Sequence, residues 1–410
     1  FALSHGLFSS GGIDSGSRLL LKTVSNMLDE DEASGRPLPR SALDAGCGAG
    51  ILGICAAGAF AARVHAQDRD ELARVFTVYN ARRNGIRGEA LSAHTEPLLS
   101  GPAGWDLILS NIPAKAGLTV LEDFVLRSAA MLNPGGRVCM VAVNTLGDFF
   151  RDNILKAGSA ILREEVGPGH TVFVYSPGTA VPMAPQGTGS AAADFLAAHP
   201  CYLRNRGDYA MEGISYSLET IHGAPGFDSP GGAVRAAAKL ALKTIAPTEG
   251  RNILVWEGDQ GHFPSWLAKG FCGASSPSFT LAGRNILALE AARRNTLKAL
   301  GRGSGEGVSI IPAADLFLDR ERLAGAGGPY SLIAAFPEAV PGADRRPAFW
   351  EALGLLAAPG GVVLIGLSSA EAERMDRKKP KNFTPLGGVR REGFRALAYR
   401  KRTEERTGER

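Results

Sequence analysis

Asp44-Ala-Gly-Cys-Gly-Ala-Gly50 sets an acid in front of three glycines at alternate positions. Glycine lets a backbone come close to a ligand, and a helix starting just after such a turn offers unbonded N–H groups. The spacing is neither G-x-x-x-x-G-K-[ST] nor G-x-G-x-x-G, so it suits a small ligand with an amino acid group better than a pyrophosphate. The bare alternative is a tight strand–helix turn. Asp68 follows roughly 20 residues after the turn, where an acid at the end of a second strand accepts hydrogen bonds from ribose hydroxyls. Asp70 competes with it but is better placed to cap the next helix. His94, after a third strand, falls where a ligand's base would lie, or is a surface histidine. Ser110-Asn111-Ile112-Pro113 closes a fourth strand. An Asn side-chain oxygen and the carbonyl after it accept both protons of an exocyclic amine. That holds the nitrogen lone pair in line with an electrophilic methyl group, while Pro113 fixes the turn. Without that chemistry the same residues form a simple strand end.

The elements that must position these residues follow from the hydrophobic pattern. Ser41–Ala45 reads as a strand, residues 51–62 as a helix, Arg63–Ala66 as a second strand ending near Asp68, and 71–84 as a helix stopped by Gly85. Strands are expected at 89–93, 105–110 and 137–143, with a helix at 124–132 and two late strands near 160–166 and 170–175. Such alternation predicts an α/β fold with a mostly parallel, doubly wound, Rossmann-like sheet. Residues 178–195 (from GTAVPMAPQGTGSAAA) read as a linker between a domain at 1–177 and a second at 196–402, with a basic tail at 403–410.

The plan then repeats. GIDSGSRLLLK (12–22) is echoed at 226–243, ARRNG (81–85) by ARRNT (292–296), WDLILSNIP (105–113) by YSLIAAFP (330–337), and NPGGRVCMV (133–141) by APGGVVLIG (358–366). The order is preserved, which predicts an internal duplication. The glycine turn (44–50) falls opposite WEGDQGH (256–262). Trp256 then replaces Asp44, and Phe336 replaces Asn111. One live site and one degenerate copy are expected. An alternating segment, 200–220, predicts a hairpin ahead of the second copy. The first copy has no such segment before Ser4, and no Met opens the chain, so preceding residues are expected.

The combination of Phe8–Leu21, Leu43–Gly50, Asp68 and Ser110–Pro113 resembles the class I S-adenosylmethionine-dependent methyltransferases of the "methyltransferase small" type. This group includes tandem-domain small-subunit rRNA guanine-N2 methyltransferases. In those enzymes the first copy is the degenerate one; here the order is reversed. The resemblance implies S-adenosyl-L-methionine as cofactor and an exocyclic amine in ribosomal RNA as target. It implies that Asp44, Gly46, Gly48 and Gly50 line the methionine part, that Asp68 holds the ribose, and that Asp14, Ser17 and Arg18 close over the amino acid end. Asn111, Ile112 and Pro113 would carry catalysis. The family signature is Asn-Pro-Pro-aromatic, whereas this chain has Asn111-Ile112-Pro113-Ala114. An aromatic there stacks on a target base, so its loss opens a second reading, a protein amide or small molecule as substrate. A third is an inactive cofactor-binding RNA-binding or assembly protein.

The remaining composition narrows the partners. Of 410 residues 45% are apolar and 21% charged, the profile of an ordinary globular chain. No apolar run is long enough to span a membrane and no secretory signal is evident. The five cysteines form no C-x-x-C pair, so a reduced, cytoplasmic protein without a metal site is expected. A monomer is expected as an internal pseudo-dimer. Net charge is +4, but residues 371–410 carry 13 Lys/Arg against 7 Asp/Glu. Arg374, Arg377, Lys378, Lys379 and Lys381 read as a loop that meets RNA phosphates, with Phe383 available to stack on a base.

Overall fold

In the computed structural model, the described residues are all but 8–11, 61–62, 102, 178–194, 227, 247–251, 272–276, 304–306 and 404–410. The linker reading at 178–194, Phe8, Cys272, the end of the second helix at 61–62 and the tail from 404 therefore lie outside the described residues. The chain divides into two compact units, Phe1–Ala191 with Pro200–Tyr202, and Ala192–His199 with Leu203–Arg410. Pro200–Tyr202 thus falls with the first unit rather than the second. Tyr202 is buried there and its hydroxyl accepts the Leu98 N–H at 3.1 Å, while Thr119 Oγ1 donates to the Cys201 carbonyl at 2.9 Å.

The first unit runs α1 (Ser15–Ala33), β1 (Ser41–Ala45), α2 (Ile51–Phe60), β2 (Arg63–Asp68), α3 (Glu71–Arg83), β3 (Leu91–Thr95), β4 (Trp105–Asn111), α4 (Leu118–Ala130), β5 (Leu132–Val143), α5 (Gly147–Lys156), β6 (Ala160–Val166) and β7 (His170–Ser176). The sheet order is β3-β2-β1-β4-β5-β7-β6. All pairs are parallel except those made by β7. β1 is buried throughout and β4 everywhere but Asp106 and Asn111, as expected for central strands of a sheet covered on both faces. The order reverses between β1 and β4, so their carboxyl ends open the crevice where such sheets bind ligands. Helix α1 is anchored beside β5 by a buried pair, Asp31 with Arg137. Three expected elements shift: β3 begins two residues later, α4 starts six residues earlier with Gly117 at the N-cap position, and β5 starts five residues earlier, at Leu132.

The second unit runs α6 (Phe195–Ala198), a separate hairpin β8 (Leu203–Met211) and β9 (Ile214–Ile221), α7 (Gly232–Thr244), β10 (Asn252–Trp256), α8 (His262–Phe271), β11 (Ser278–Gly283), α9 (Ile286–Leu300), β12 (Val308–Pro312), α10 (Arg320–Gly325), β13 (Tyr330–Ala335), α11 (Arg346–Leu356), β14 (Ala357–Ser368), α12 (Ser369–Arg377), β15 (Phe383–Arg391) and β16 (Phe394–Lys401). Its sheet, β12-β11-β10-β13-β14-β16-β15, repeats the first strand for strand. The hairpin expected at 200–220 is present. Among the described residues no helix is long and apolar enough to cross a membrane.

Strand register corrects the alignment of the copies. Asp44 pairs with Leu109 and Ala42 with Leu107; Val255 pairs with Ala334 and Ile253 with Leu332. Val255, not Trp256, therefore stands at the place of Asp44. Trp256 is a buried core residue instead. Gly46, Gly48 and Gly50 correspond to Glu257, Asp259 and Gly261, and Asp68 corresponds to Gly283. The turn therefore aligns one residue away from the sequence echo, and the helix caps Asp70 and Asn285 set Asn295 opposite Asn80 rather than Asn84, so the ARRN echo lies four residues out of register.

Candidate functional site

The site gathers at the carboxyl ends of β1, β2 and β4, under the first turn of α1. Asp14 caps α1: its Oδ1 accepts the Ser17 N–H at 3.0 Å and its Oδ2 the Ser17 hydroxyl at 2.7 Å. Asn111, the last residue of β4, donates from Nδ2 to Asp14 Oδ1 and to Ser17 Oγ, both at 3.0 Å. An ionised carboxylate only accepts, so the amide nitrogen must face Asp14 and the amide oxygen must face away. Among the described residues nothing donates to Asn111 Oδ1. The Ile112 N–H is held by the Val141 carbonyl at 3.0 Å and its side chain is buried; Pro113 and Ala114 are exposed. Arg18 is exposed and its Nε donates to the Ile13 carbonyl at 3.1 Å.

The three glycines of the turn divide their work. All have φ in the left-handed region, at +78°, +55° and +84° for Gly46, Gly48 and Gly50. A Cβ on Gly50 would meet Thr77 Cγ2 at 2.9 Å, so this glycine serves packing. A Cβ on Gly46 would touch Leu98 at 3.4 Å, whereas one on Gly48 meets nothing within 4 Å among the described residues. Gly48 is thus the position where the backbone borders open space. Its N–H is held by Asp68 Oδ2 at 3.0 Å, and Asp68 Oδ1 accepts the Asp70 N–H at 2.9 Å. Asp70 caps α3 through Leu72. Burial raises the pKa of Asp68, opposed by those two N–H groups.

Asp44 does not line the crevice. It is fully buried beneath the turn, where Oδ2 accepts the Gly53 N–H at 2.7 Å in the first turn of α2. Gly53 must be glycine, since a Cβ there would lie 2.9 Å from that oxygen. Among the described residues Asp44 Oδ1 has no partner, and burial pushes the pKa to about 7. The acid therefore ties strand to helix instead of meeting a ligand directly.

His94 also departs from its expected place. It lies within β3 and its ring stacks on His65 of β2, with centroids 4.2 Å apart and planes 7° from parallel. Burial, then the neighbouring His65, lowers its pKa. No local pattern in the sequence marks His65 or the loop residue Glu96. They sit 29 and two residues away from His94, and only the pairing of β2 with β3 joins them.

The basic end of the second unit is corrected in two respects. Phe383 is 1% exposed and packs on Trp350 at 5.2 Å, so it cannot stack on a base. Arg374 and Arg377 belong to α12, which carries on past the expected loop start; Arg374 pairs with Glu371. Lys378 and Lys381 are exposed, while Lys379 Nζ donates to the Phe383 carbonyl at 3.0 Å.

This crevice at the switch point, with its glycine turn, strand-end acid and Asn-x-Pro corner, belongs to the class I methyltransferase fold, which the second unit repeats with Val255, Gly283 and Phe336 at the places of Asp44, Asp68 and Asn111. Residues 1–157 match the family described as the methyltransferase small domain. The chain is 35% identical to the ribosomal RNA small subunit methyltransferase C of Chromohalobacter salexigens over 144 residues, 34% of this chain and 40% of that protein. It is 42% identical over 108 residues to the ribosomal protein L11 methyltransferase of Methylococcus capsulatus, 25% of this chain and 33% of that one. The chain thus spans about two-fifths or less of the length of these relatives. In fold, a solved T. thermophilus 16S rRNA N2 G1207 methyltransferase, in complex with AdoMet and guanosine, is similar over 98% of this chain and 95% of its own. The TM-score is 0.63 at 17% identity.

Proposed function

We propose that this protein is an S-adenosylmethionine-dependent N-methyltransferase that acts on an exocyclic amine of a base in ribosomal RNA, through its first unit and in the cytoplasm. The observation that carries this reading is the fixed orientation of Asn111. Its Nδ2 is spent on Asp14 and Ser17, so its Oδ1 is left as an acceptor at the carboxyl edge of the sheet. An amine donating one N–H to that oxygen is oriented and keeps its lone pair for attack. The cofactor supplies the electrophilic methyl group when bound. Gly48, whose missing side chain leaves open space, and Asp68 at the end of β2 would hold it. Asp14 and Ser17 act through Asn111 by fixing its rotamer. Likeness to proteins named as small-subunit rRNA methyltransferases supports RNA as substrate.

A protein side chain is the second reading. It is favoured by the absence of an aromatic after Pro113 and by the likeness to ribosomal protein L11 methyltransferases. The test is incubation of the full chain with methyl-labelled S-adenosylmethionine and small ribosomal subunits, or with ribosomal protein, followed by nuclease and protease digestion. Label lost to nuclease is expected. Label lost to protease would favour the second reading, and no label from a chain that binds the cofactor would overturn both. Asn111→Ala should lower turnover about a hundredfold, near 3 kcal/mol, and leave cofactor affinity nearly unchanged. Normal turnover in that variant would remove the amine-orienting role.

A further inference from the structure

His65, His94 and Glu96 stand together on one face of the first sheet, away from the Asn111 corner. β2 and β3 pair in parallel with Gln67 beside His94. His65 and His94 therefore lie on a diagonal of adjacent strands, and Glu96 follows His94 by two positions, on the same face. One ligand atom from each, an imidazole nitrogen or a carboxylate oxygen, lies within 4.8 Å of the other two. Glu96 Oε2 is 3.4 Å from His65 Nε2 and accepts the Ser100 hydroxyl at 2.9 Å. The three side chains are half-buried, neither locked in the core nor free in solvent.

We propose that His65, His94 and Glu96 form a binding site for a single first-row divalent cation, with zinc as the reference ion. Two imidazoles and one carboxylate are a donor set that zinc accepts, with solvent completing a tetrahedron. As they stand the two rings face each other in parallel planes. Each must turn about χ2 before both planes contain one ion, and that torsion is broad and soft. The second unit supplies its own control. The corresponding positions there are Thr280, Ile311 and Ala313, which offer no such donor set. Stoichiometry should be one ion per chain.

The cation would clamp the segment after β3. That segment already carries the Pro97 and Leu98 carbonyls, which hold Gln67 Nε2 at 2.9 and 2.8 Å, and the Leu98 side chain that borders Gly46. Ion binding is tested without methyl transfer. Purified full-length protein is stripped with chelator, then titrated with Zn²⁺ by calorimetry and with Co²⁺ by visible absorption. One equivalent should bind with micromolar or better affinity, with a Co²⁺ spectrum lacking thiolate charge transfer, and Zn²⁺ should raise the unfolding temperature. His65→Gln, His94→Gln and Glu96→Gln should each weaken binding at least about tenfold, since even residues that only support a ligand cost that much. Apo unfolding temperatures confirm that each variant is folded, and the glutamines keep polar side chains of similar size. No saturable binding, binding that all three variants retain, or a spectrum showing thiolate ligands would overturn the proposal.

Discussion

The two glycine turns begin from one plan and end as opposites. In the first, residues 44–50 border open space at Gly48 and draw their acid from the next strand, Asp68. In the second, residues 255–261 close over themselves. Glu257 takes the place of Gly46, and its carboxylate accepts the Arg284 N–H at 2.9 Å, beside the glycine that replaces Asp68. Gln260 Oε1 accepts the Ile221 N–H at 2.6 Å and its Nε2 donates to the Gly226 carbonyl at 2.8 Å. Phe336, at the place of Asn111, packs on Phe263 at 5.4 Å. Framework contacts survive in both: Asn80 donates to the Ala49 carbonyl as Asn295 does to that of Gln260. Asn80 also exchanges backbone bonds with Ala2 as Asn295 does with Glu219. Duplication thus kept the bonds that build the fold. It lost those that leave donors and space for a ligand, because side chains that fill the crevice stabilise the fold by themselves.

The sharpest contrast to break is in the second unit's core. Phe383→Ala removes a ring buried against Trp350 and should cost about 3–5 kcal/mol. Chemical unfolding should show that loss, while RNA affinity of the folded protein stays the same. A variant of normal stability that binds RNA poorly would restore Phe383 to a substrate role.

A pH contrast separates Asp44 from Val255. Burial raises Asp44 from 3.8 to about 7, so the folded state keeps a proton that the unfolded chain releases between those values. The folded state then binds more protons, and stability should fall as pH rises from about 4 to about 7, levelling off above. The full span is at most roughly 4 kcal/mol. Asp44→Asn keeps an acceptor for the Gly53 N–H and should flatten this slope. Unfolding of the two proteins across that range checks it; equal slopes would mean that Asp44 ionises normally.

Two glycine substitutions compare the turns directly. A Cβ on Gly261 would sit 2.8 Å from the Ala292 Cα, so Gly261→Ala should destabilise by about 2 kcal/mol without touching cofactor affinity. Gly48→Ala meets no neighbour and should cost only about 1 kcal/mol for its left-handed backbone, yet weaken cofactor binding. Calorimetry and thermal unfolding distinguish the pair, and unchanged affinity in Gly48→Ala would move the cofactor elsewhere. The smallest effect belongs to the exposed loop. Lys378→Glu with Lys381→Glu should flatten the salt dependence of RNA binding by about 1.5 in log–log slope, if both meet phosphate. An unaltered slope would reduce them to solubilising charges.

Much of this was legible from residues alone. The duplication, the alternation of strand and helix, the turn glycines and the Asn111 corner all show in local pattern, because periodicity and turn chemistry act over a few neighbours. Tertiary structure decided the rest. Register made Val255 the counterpart of Asp44 in the second unit, since pairing depends on the neighbouring strand and a one-residue slip leaves composition unchanged. Packing put Phe383 in the core and Asp44 beneath its turn, because burial is set by elements distant in the chain. Asn111 has its rotamer from Asp14, 97 residues away. His65, His94 and Glu96 meet only because two strands lie side by side. Local chemistry named the residues that can act; the spatial neighbours fixed which atoms face the ligand.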